Sequence, residues 1–202
     1  MSFDVVVAAD LDWGIGKANG LPWPKLKADM AHFRRVTSAT ADGKLNAIIM
    51  GRRTWESKEM AGKPLPNRLN VVVTRQGVGV PEGVVVAGSL DAALMAARGD
   101  NIDGVYLVGG AELIRHAIDH ADLRWIYLTR IEQRFGSETF IPDLDAAGFV
   151  KVAWDGEQVC EDNGVRYRIE RRPAAARDLR PRLSRDRFRY TAIGNLMNGW
   201  CW

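Results

Sequence analysis

Six short apolar runs recur through the first 131 residues, and they constrain the fold more than any other feature of the chain. Each run is four to seven residues long and rich in β-branched side chains, so it has the length and composition of a strand buried on both faces. The runs cover residues 3–9, 47–50, 69–74, 84–87, 104–108 and 125–131.

Helical patterns separate these runs. Apolar residues recur at helical spacing in three stretches, at 26–36, 90–97 and 113–118, and Ser89 is a suitable N-cap for the second stretch. Two further strand-like segments, 149–154 and 165–169, flank Gly164. Strands that alternate with helices predict an α/β fold with a central, mainly parallel, eight-stranded sheet, a C-terminal antiparallel hairpin and helices on both faces.

The charge of the chain is unevenly distributed. The 202 residues carry a net charge of +3, but residues 171–202 hold eight arginines against two aspartates. Residues 1–170 are therefore acidic by count, and the basic balance belongs to the C-terminal segment. We expect a catalytic domain at residues 1–172 and an Arg-rich tail of unknown role, disordered or added during expression, at 173–202.

Composition also narrows the class of protein. No apolar run approaches the ~20 residues that a membrane-spanning helix needs, and no basic segment precedes the first apolar residues as in a secretory signal. Cys160 and Cys201 are distant in sequence, which favours free thiols in a reducing compartment. We expect a cytoplasmic protein without a metal site, since the three histidines form no ligand cluster with cysteine.

The most informative local pattern is a glycine-rich loop followed by one acid in an apolar helix. The loop reads Gly14-Ile15-Gly16-Lys17-Ala18-Asn19-Gly20-Leu21-Pro22-Trp23-Pro24. After it, Asp29 stands among Leu26, Met30 and Phe33. A carboxylate on an apolar face is unfavourable without a partner, and a cationic or donor-rich heterocycle would provide one. An aspartate at the solvent edge of an amphipathic helix explains the same pattern equally well.

Several ordered motifs resemble the dihydrofolate reductase family. They are Ala8 with its strand, the GIGKANGLPW loop, Asp29 with Phe33, IMGRRTW at 49–55, PNR at 66–68, VTR at 73–75, VGG at 108–110 and LTRI at 128–131. They occur in the family order, lie at predicted strand ends and cover roughly residues 3–171. The resemblance implies reduction of 7,8-dihydrofolate to tetrahydrofolate by hydride transfer from NADPH to the pterin ring.

The resemblance also implies roles on the substrate side. Asp29 is expected to accept hydrogen bonds from the pterin 2-amino group and the adjacent ring nitrogen, Thr129 to hydrogen-bond near that carboxylate, and Trp23 to hold a water beside it. Arg68 is expected to pair with the glutamate α-carboxylate of the substrate. The other expected residues are Leu21 in the catalytic set, and Ala8, Met30, Phe33, Pro66 and Val108 in the substrate pocket. Taken singly, such residues are more often core, strand or solvated surface.

A second set of matched residues implies a cofactor site. Gly51, Arg52, Arg53 and Thr54 follow an apolar strand and open a helix, where N–H groups and guanidiniums favour an anion. Thr74 and Arg75 follow the neighbouring strand, and two basic clusters favour NADPH over NADH. The remaining expected cofactor residues are Ala9, Ile15, Gly16, Gly109 and Gly110, with a cis peptide expected at the last pair. A solvated basic rim is the simpler explanation of the two basic clusters, and a plain tight turn is the simpler explanation of the glycine pair.

Some features depart from the family or leave alternatives open. Ile114 stands where relatives often have Tyr, Trp13 occupies a variable position, and the tail after Arg172 has no counterpart. A pyrimidine reductase of flavin biosynthesis shares the fold but lacks the acid after the LPW motif. A nucleic-acid-binding role of the tail is a separate alternative. We expect a monomer that binds dihydrofolate and antifolate inhibitors.

Overall fold

The computed structural model describes residues 2–41 and 43–174. In chain order its strands are β1 (Phe3–Ala9), β2 (Gly14–Gly16), β3 (Leu45–Gly51), β4 (Arg68–Val73), β5 (Val84–Ala87), β6 (Ile102–Leu107), β7 (Leu123–Ile131), β8 (Thr139–Phe140), β9 (Gln158–Asp162) and β10 (Val165–Pro173). The helices are α1 (Lys27–Ser38), α2 (Arg52–Trp55), α3 (Leu90–Ala96) and α4 (Ala111–Ala117).

Eight strands form one sheet in the order β5-β4-β3-β6-β1-β7-β10-β9. The first six of these pair in parallel, whereas β10 runs antiparallel to both β7 and β9. The predicted mainly parallel sheet with its C-terminal hairpin is confirmed. The short strands β2 and β8 pair separately and antiparallel, and the sequence pattern predicts neither of them.

Both faces of this sheet are covered. Neighbouring residues of β3 point to opposite sides, so Ile49 packs in one cluster with α3 and α4, and Ile48 packs in another with Trp55 of α2. A third cluster places Leu26, just before α1, against Tyr167 and Ile169 of β10. The long apolar runs are explained by this double burial, since each fully buried Ile or Val contributes about 1.5–3 kcal/mol.

Local sequence explains the helix at 90–96. Ser89 lies in an extended conformation before it, and its hydroxyl accepts the backbone N–H of Ala92 at 3.1 Å. Leu90, Ala93 and Leu94 then turn one buried face to the sheet. The predicted N-cap is confirmed.

One predicted strand is wrong. Residues 149–154 contain only a single bridge, from Val152 to Arg171, and the outer strand of the hairpin is β9 at Gln158–Asp162. The apolar character of 149–154 has another cause, because Phe149 is buried in the main core cluster as part of a loop. The true strand is polar because it lies at the edge of the sheet.

The last strand extends slightly beyond the expected domain boundary. It includes Pro173, and the backbone N–H of Ala174 donates to the Arg124 carbonyl at 3.0 Å. Ala174 also packs against the main core cluster. The predictions for the rest of the tail, and for Cys201, concern residues outside the described part of the chain.

Candidate functional site

The predicted site residues gather at one edge of the sheet. Strands β1, β3, β4, β6 and β7 are parallel, so their carboxyl ends lie side by side. The residues at or just after these ends include Ala9, Gly51, Thr74 and Val108. This is the edge at which open α/β sheets bind ligands.

Asp29 is directed at the sheet from the first turn of α1. The Thr129 hydroxyl donates to Asp29 Oδ1 at 2.6 Å, and Thr129 is buried on β7 beside Ala8 of β1. Burial raises the pKa of Asp29, and the hydrogen bond from Thr129 opposes this increase. The negative charge of Asp162 raises the pKa of Asp29 further. The structure therefore favours a recessed acid over an aspartate at the solvent edge.

Trp23 packs in one cluster with Ala28, the residue before this acid. Its ring is buried in the cluster that contains Leu26, Tyr167 and Ala8, and it packs edge-on against Phe135 at 6.0 Å between centroids. Among the described residues, nothing accepts a hydrogen bond from its buried Nε1. A buried indole N–H is normally satisfied by a water or a ligand, and the water expected at this position stays a prediction.

The loop before Trp23 is held at two sides. Gly16 pairs with Thr139 of β8, and the Ala18 amide donates to a carboxylate oxygen of Glu138 at 3.1 Å. On the other side the backbone amide of Leu21 donates to Glu59 Oε1 at 2.9 Å. Leu21 itself is 40% exposed. Ile15, expected near the cofactor, is partly buried and packs against the main core cluster.

Arg68 is fixed in orientation without a carboxylate partner. Its Nη1 donates to Thr37 Oγ1 at 2.9 Å and its Nε to the Pro66 carbonyl at 3.0 Å. None of the salt bridges among the described residues includes it. Partial burial lowers the pKa of Arg68, and the neighbouring charge of Arg34 lowers it further. An oriented guanidinium of this kind is suited to a carboxylate supplied by a ligand.

Phe33 and Met30 lie on the same helix as Asp29. Phe33 is partly buried, whereas Met30 is 42% exposed. Met30 is therefore available to a ligand surface and does not belong to the helix core. Its spacing alone predicts a core residue.

The cofactor-side residues surround the ends of β3, β4 and β6. Gly109 and Gly110 are joined by a cis peptide bond, as the resemblance predicts. The Gly51 amide donates to the Gly109 carbonyl at 2.8 Å. At Gly109 φ is +139°, and a Cβ there would lie 3.0 Å from Thr54 Oγ1, so this close approach requires glycine.

The basic side chains at this edge are only weakly engaged. Arg52 pairs with Glu56 at 3.0 Å, and Arg75 pairs with Glu112 at 3.5 Å in a salt bridge whose partners are mostly exposed. Such surface pairs contribute about 0–1 kcal/mol, so exchanging them for a phosphate costs little. Thr74 bonds to the backbone of Gln76 instead, and Arg53 is exposed. The donor set fits a phosphorylated cofactor.

Comparison with known proteins decides the family. A model of the dihydrofolate reductase family matches residues 2–172. The chain belongs to the dihydrofolate reductase family.

Individual relatives agree with this membership. The chain is 40% identical over 174 residues to the bifunctional dihydrofolate reductase-thymidylate synthase of Daucus carota, covering 82% of this chain and 32% of that protein. It is 34% identical to mouse dihydrofolate reductase, covering 93% of that protein. The structure of Schistosoma mansoni dihydrofolate reductase matches with a TM-score of 0.75 and 34% identity, covering 86% of this chain and 98% of that one. The chain thus spans about a third of the length of the bifunctional relatives.

Ile114, the departure noted in the sequence, lies on α4 shortly after the glycine pair. It is fully buried in the main core cluster. The α4 side chain at this position therefore contributes to packing, and it offers no polar group.

Sequence reasoning missed several residues of this site. Thr37 anchors Arg68, Glu59 and Glu138 hold the loop, and Asp162 lies near Asp29. These residues stand in polar segments without periodicity, so nothing local marked them. The single available signal was the Asn163-Gly164 pair, a tight-turn sequence that fixes Asp162 at the end of a strand.

The described residues contain neither a cluster of metal ligands nor a membrane-spanning helix. No group of three or more His, Cys, Asp or Glu side chains is placed to hold a metal ion within residues 2–41 and 43–174. Across the same residues, no helix has the length and apolar character that a membrane span requires.

Proposed function

We propose that this member of the dihydrofolate reductase family catalyses the NADPH-dependent reduction of 7,8-dihydrofolate to 5,6,7,8-tetrahydrofolate. The observation that carries the proposal is the recessed acid Asp29, bonded to Thr129 at 2.6 Å. The residue before it, Ala28, packs in one cluster with Trp23, whose buried indole N–H has no hydrogen-bond partner among the described residues. A recessed carboxylate is suited to a heterocycle with two adjacent N–H donors.

Asp29 binds the pterin through its ionised form. The carboxylate accepts from the 2-amino group and the neighbouring ring nitrogen, and this pairing offsets the burial that raises the pKa of Asp29. Thr129 fixes the carboxylate in one orientation because its hydroxyl occupies Oδ1. The negative charge held at the edge of the ring favours the protonated, electrophilic pterin.

The rest of the substrate extends along α1. Phe33 and the exposed Met30 pack on the pterin and the aminobenzoyl ring, with Ala8 and Val108 lining the recess at the ends of β1 and β6. Arg68, next to Pro66, binds the α-carboxylate of the glutamate. The distribution of charge agrees, with the Asp29 carboxylate at the pterin end and the oriented Arg68 guanidinium at the glutamate end.

The residues that would hold NADPH lie at the ends of β3, β4 and β6. Arg52, Arg53, Thr54, Thr74 and Arg75 would bind its phosphates, and the backbone of Gly109 and Gly110, with Ala9, Ile15 and Gly16, would border the remainder. When bound, NADPH supplies the hydride that reduces C6 of the pterin. The protein contributes orientation and electrostatics.

The proton at N5 does not come directly from Asp29. The carboxylate pairs with the opposite side of the pterin ring, so it raises the proton affinity of N5 without reaching it. The exposed side chain of Leu21 and the unpaired N–H of Trp23 mark where water can enter. Water admitted there delivers the proton to N5.

The remaining expectations are part of the same proposal. The chain acts as a monomer in the cytoplasm, and antifolates bind at the pterin recess because their donor groups match Asp29. The half-buried, unpaired thiol of Cys160 is compatible with a reducing compartment. Residues beyond 174 are dispensable for the reaction, since the family match ends at residue 172.

The direct test follows NADPH oxidation by the purified full-length chain with and without dihydrofolate. Oxidation that depends on dihydrofolate is the expected result, and Asp29→Asn should lower turnover at neutral pH by roughly 10²-fold or more. Activity of Asp29→Asn should recover partly at low pH, where the substrate is protonated in solution. Parent-like turnover of Asp29→Asn at neutral pH would show that Asp29 is not the pterin acid.

A further inference from the structure

The tip of the C-terminal hairpin reaches the first turn of α1. Asn163 and Gly164 form its two-residue turn with φ of 51° and 72°, the left-handed pair that a tight hairpin requires. This turn places Asp162 at the end of β9, where its Oδ2 accepts the backbone N–H of Ala28 at 3.0 Å. Asn163 Nδ2 donates to the Lys25 carbonyl at 2.7 Å. The hairpin therefore contacts α1 immediately before Asp29.

Helix α1 depends on this contact for its N-terminal cap. The residue at its N-cap position is Leu26, which has no side-chain oxygen and makes no capping bond. A helix leaves its first N–H groups unsatisfied, and an acceptor usually comes from the N-cap side chain itself. Here the acceptor for Ala28 is Asp162, which belongs to another element and lies 134 positions later in the sequence. The orientation of the turn that holds Asp29 is thus set from β9.

The Asp162 carboxylate is itself held in place. The Tyr167 hydroxyl, on the paired strand β10, donates to Asp162 Oδ2 at 2.5 Å. That bond, followed by the Ala28 amide, lowers the pKa of Asp162, so Asp162 is ionised at neutral pH. The pKa of Tyr167 is raised by burial and by the same pair, which keeps the phenol protonated as the donor.

Two carboxylates, Asp29 and Asp162, therefore lie near each other at the start of α1. The groups around Asp29 are Thr129 from β7, Asp162 and the Cys160 thiol from β9, and Tyr167 from β10, with Lys27 on the same helix beside Asp162. Burial is the main reason why the pKa of Asp29 is raised, and the negative charge of Asp162 adds to that effect. Cys160 is neutral at this pH because burial raises its thiol pKa further above its ordinary value.

We propose that Asp162 is a positioning residue for dihydrofolate reduction, acting through Asp29 by capping the turn that carries it and by adding a second negative charge behind the pterin. This inference rests on the proposed role of Asp29. The second charge does not touch the substrate. It makes the pterin site more negative, so that the bound ring keeps its N5 proton to a higher pH than Asp29 alone would permit.

The test compares Asp162→Asn with Glu161→Gln. Asn preserves an oxygen acceptor for Ala28 and the shape of the side chain, so it removes the charge and keeps the cap. Glu161 is the matched control, since it is the preceding residue of β9, is exposed, and loses the same charge. Tyr167→Phe is the third variant. It removes the bond that pins Asp162 and the hydroxyl that interacts with the Asp29 backbone N–H, and it leaves the charge of Asp162.

Two measurements are made on each full-length variant. The first is the rate of hydride transfer in a single turnover with NADPH and dihydrofolate as a function of pH. In Asp162→Asn the pH above which this rate declines should fall by roughly 0.5–1 unit, giving a three- to tenfold lower rate on the alkaline side. Glu161→Gln and Tyr167→Phe should keep the position of the parent curve.

The second measurement is the titration of Asp29 by carboxyl ¹³C NMR in the ligand-free protein, in which Asp162→Asn should titrate at lower pH than the parent. This readout needs no catalysis, so it separates a failure here from a failure of the proposed role of Asp29. A purely structural role would lower the rate at every pH without moving the curve. A rate that falls at every pH without a shift of the curve would overturn the proposal. So would an Asp29 titration that is unchanged in Asp162→Asn, or a pH curve that shifts equally in Glu161→Gln.

Discussion

Arg68 offers a quantitative test of how the site recognises the glutamate end of its substrate. Its guanidinium is oriented by Thr37 Oγ1 at 2.9 Å and by the Pro66 carbonyl at 3.0 Å, and no described carboxylate pairs with it. Replacing Arg68 with Ala removes a bidentate pair of charge-assisted hydrogen bonds. Each such bond contributes about 1.5–3 kcal/mol when desolvated. Because Arg68 is only half-buried, we take about 2–4 kcal/mol for the pair.

The expected result is a selective change in the Michaelis constant. A loss of about 2–4 kcal/mol corresponds to a roughly 30- to 1000-fold higher KM for dihydrofolate, with kcat changed much less, because the interaction is the same in ground state and transition state. Arg68→Lys should lose most of the same affinity, since an ammonium lacks the planar fork. Thr37→Val removes one anchoring bond, and its effect should be about fivefold.

The assay needs a second substrate that lacks the glutamate. Initial rates of NADPH oxidation are measured with dihydrofolate and with a reduced pterin that ends before the aminobenzoyl-glutamate. Arg68→Ala should leave the KM for the truncated pterin unchanged. If Arg68→Ala raises both constants equally, Arg68 supports the fold of the site and does not bind the carboxylate.

Three further predictions concern the cofactor, the C-terminal segment and the acid. The double variant Arg52→Ala with Arg75→Ala should raise the KM for NADPH far more than that for NADH, measured by initial rates; equal changes would exclude a site for the additional phosphate. A chain ending at Ala174 should keep its fold and its kcat, whereas a folded but inactive product would assign the missing residues a catalytic role. Burial raises the pKa of Asp29, so the folded state binds the Asp29 proton more tightly than the unfolded state does. Protonated Asp29 therefore stabilises the fold at pH values below its ordinary pKa, and this contribution is lost as the pH rises through the raised pKa. Urea unfolding at pH 4 and pH 7 should therefore show Asp29→Asn gaining stability relative to the parent as pH rises, and a constant difference would contradict the burial argument.

The sheet was largely predictable because its parallel strands are buried on both sides. A strand such as β3, with Ala47 to Met50 fully buried, must be apolar at every position, and this leaves an unbroken run in the sequence. The edge strand β9 leaves no such signal, since its alternate residues face solvent. The apolar segment 149–154 was misleading because Phe149 enters the core from a loop. Burial of a strand on both faces leaves a continuous apolar run in the sequence, whereas pairing at the edge of a sheet leaves no such pattern.

The residues of the site also fall into a group that the sequence could predict and a group that it could not. Residues that follow apolar strands, such as Gly51, Thr74 and Gly109, were predictable because parallel strands must end at one edge. Thr37 and Asp162 were not, because their roles exist only once α1 lies against β4 and the hairpin. Both side chains are polar and lie in polar surroundings in the sequence. Long-range hydrogen bonds of this kind have no signature in spacing or composition.

The glycine-rich loop beside the site is attached to the rest of the fold by weak contacts at its tip. Its tip is a tight turn, with Lys17 and Gly20 exchanging backbone hydrogen bonds around Ala18 and Asn19, both at positive φ. Beyond the tip, hydrogen bonds attach it to neighbouring segments, among them those from Ala18 to Glu138 and from Asn19 Nδ2 to the Glu56 carbonyl.

These attachments are exposed, and each exposed hydrogen bond contributes only about 0.5–1.5 kcal/mol. The tip itself, from Lys17 to Asn19, is exposed and contributes nothing to the buried core. Trp23, at the end of the same loop, is by contrast fixed in the cluster with Leu26 and Tyr167. The loop can therefore move at its tip while its base stays packed, and a substrate can reach the recess of Asp29 without disturbing a strand of the central sheet.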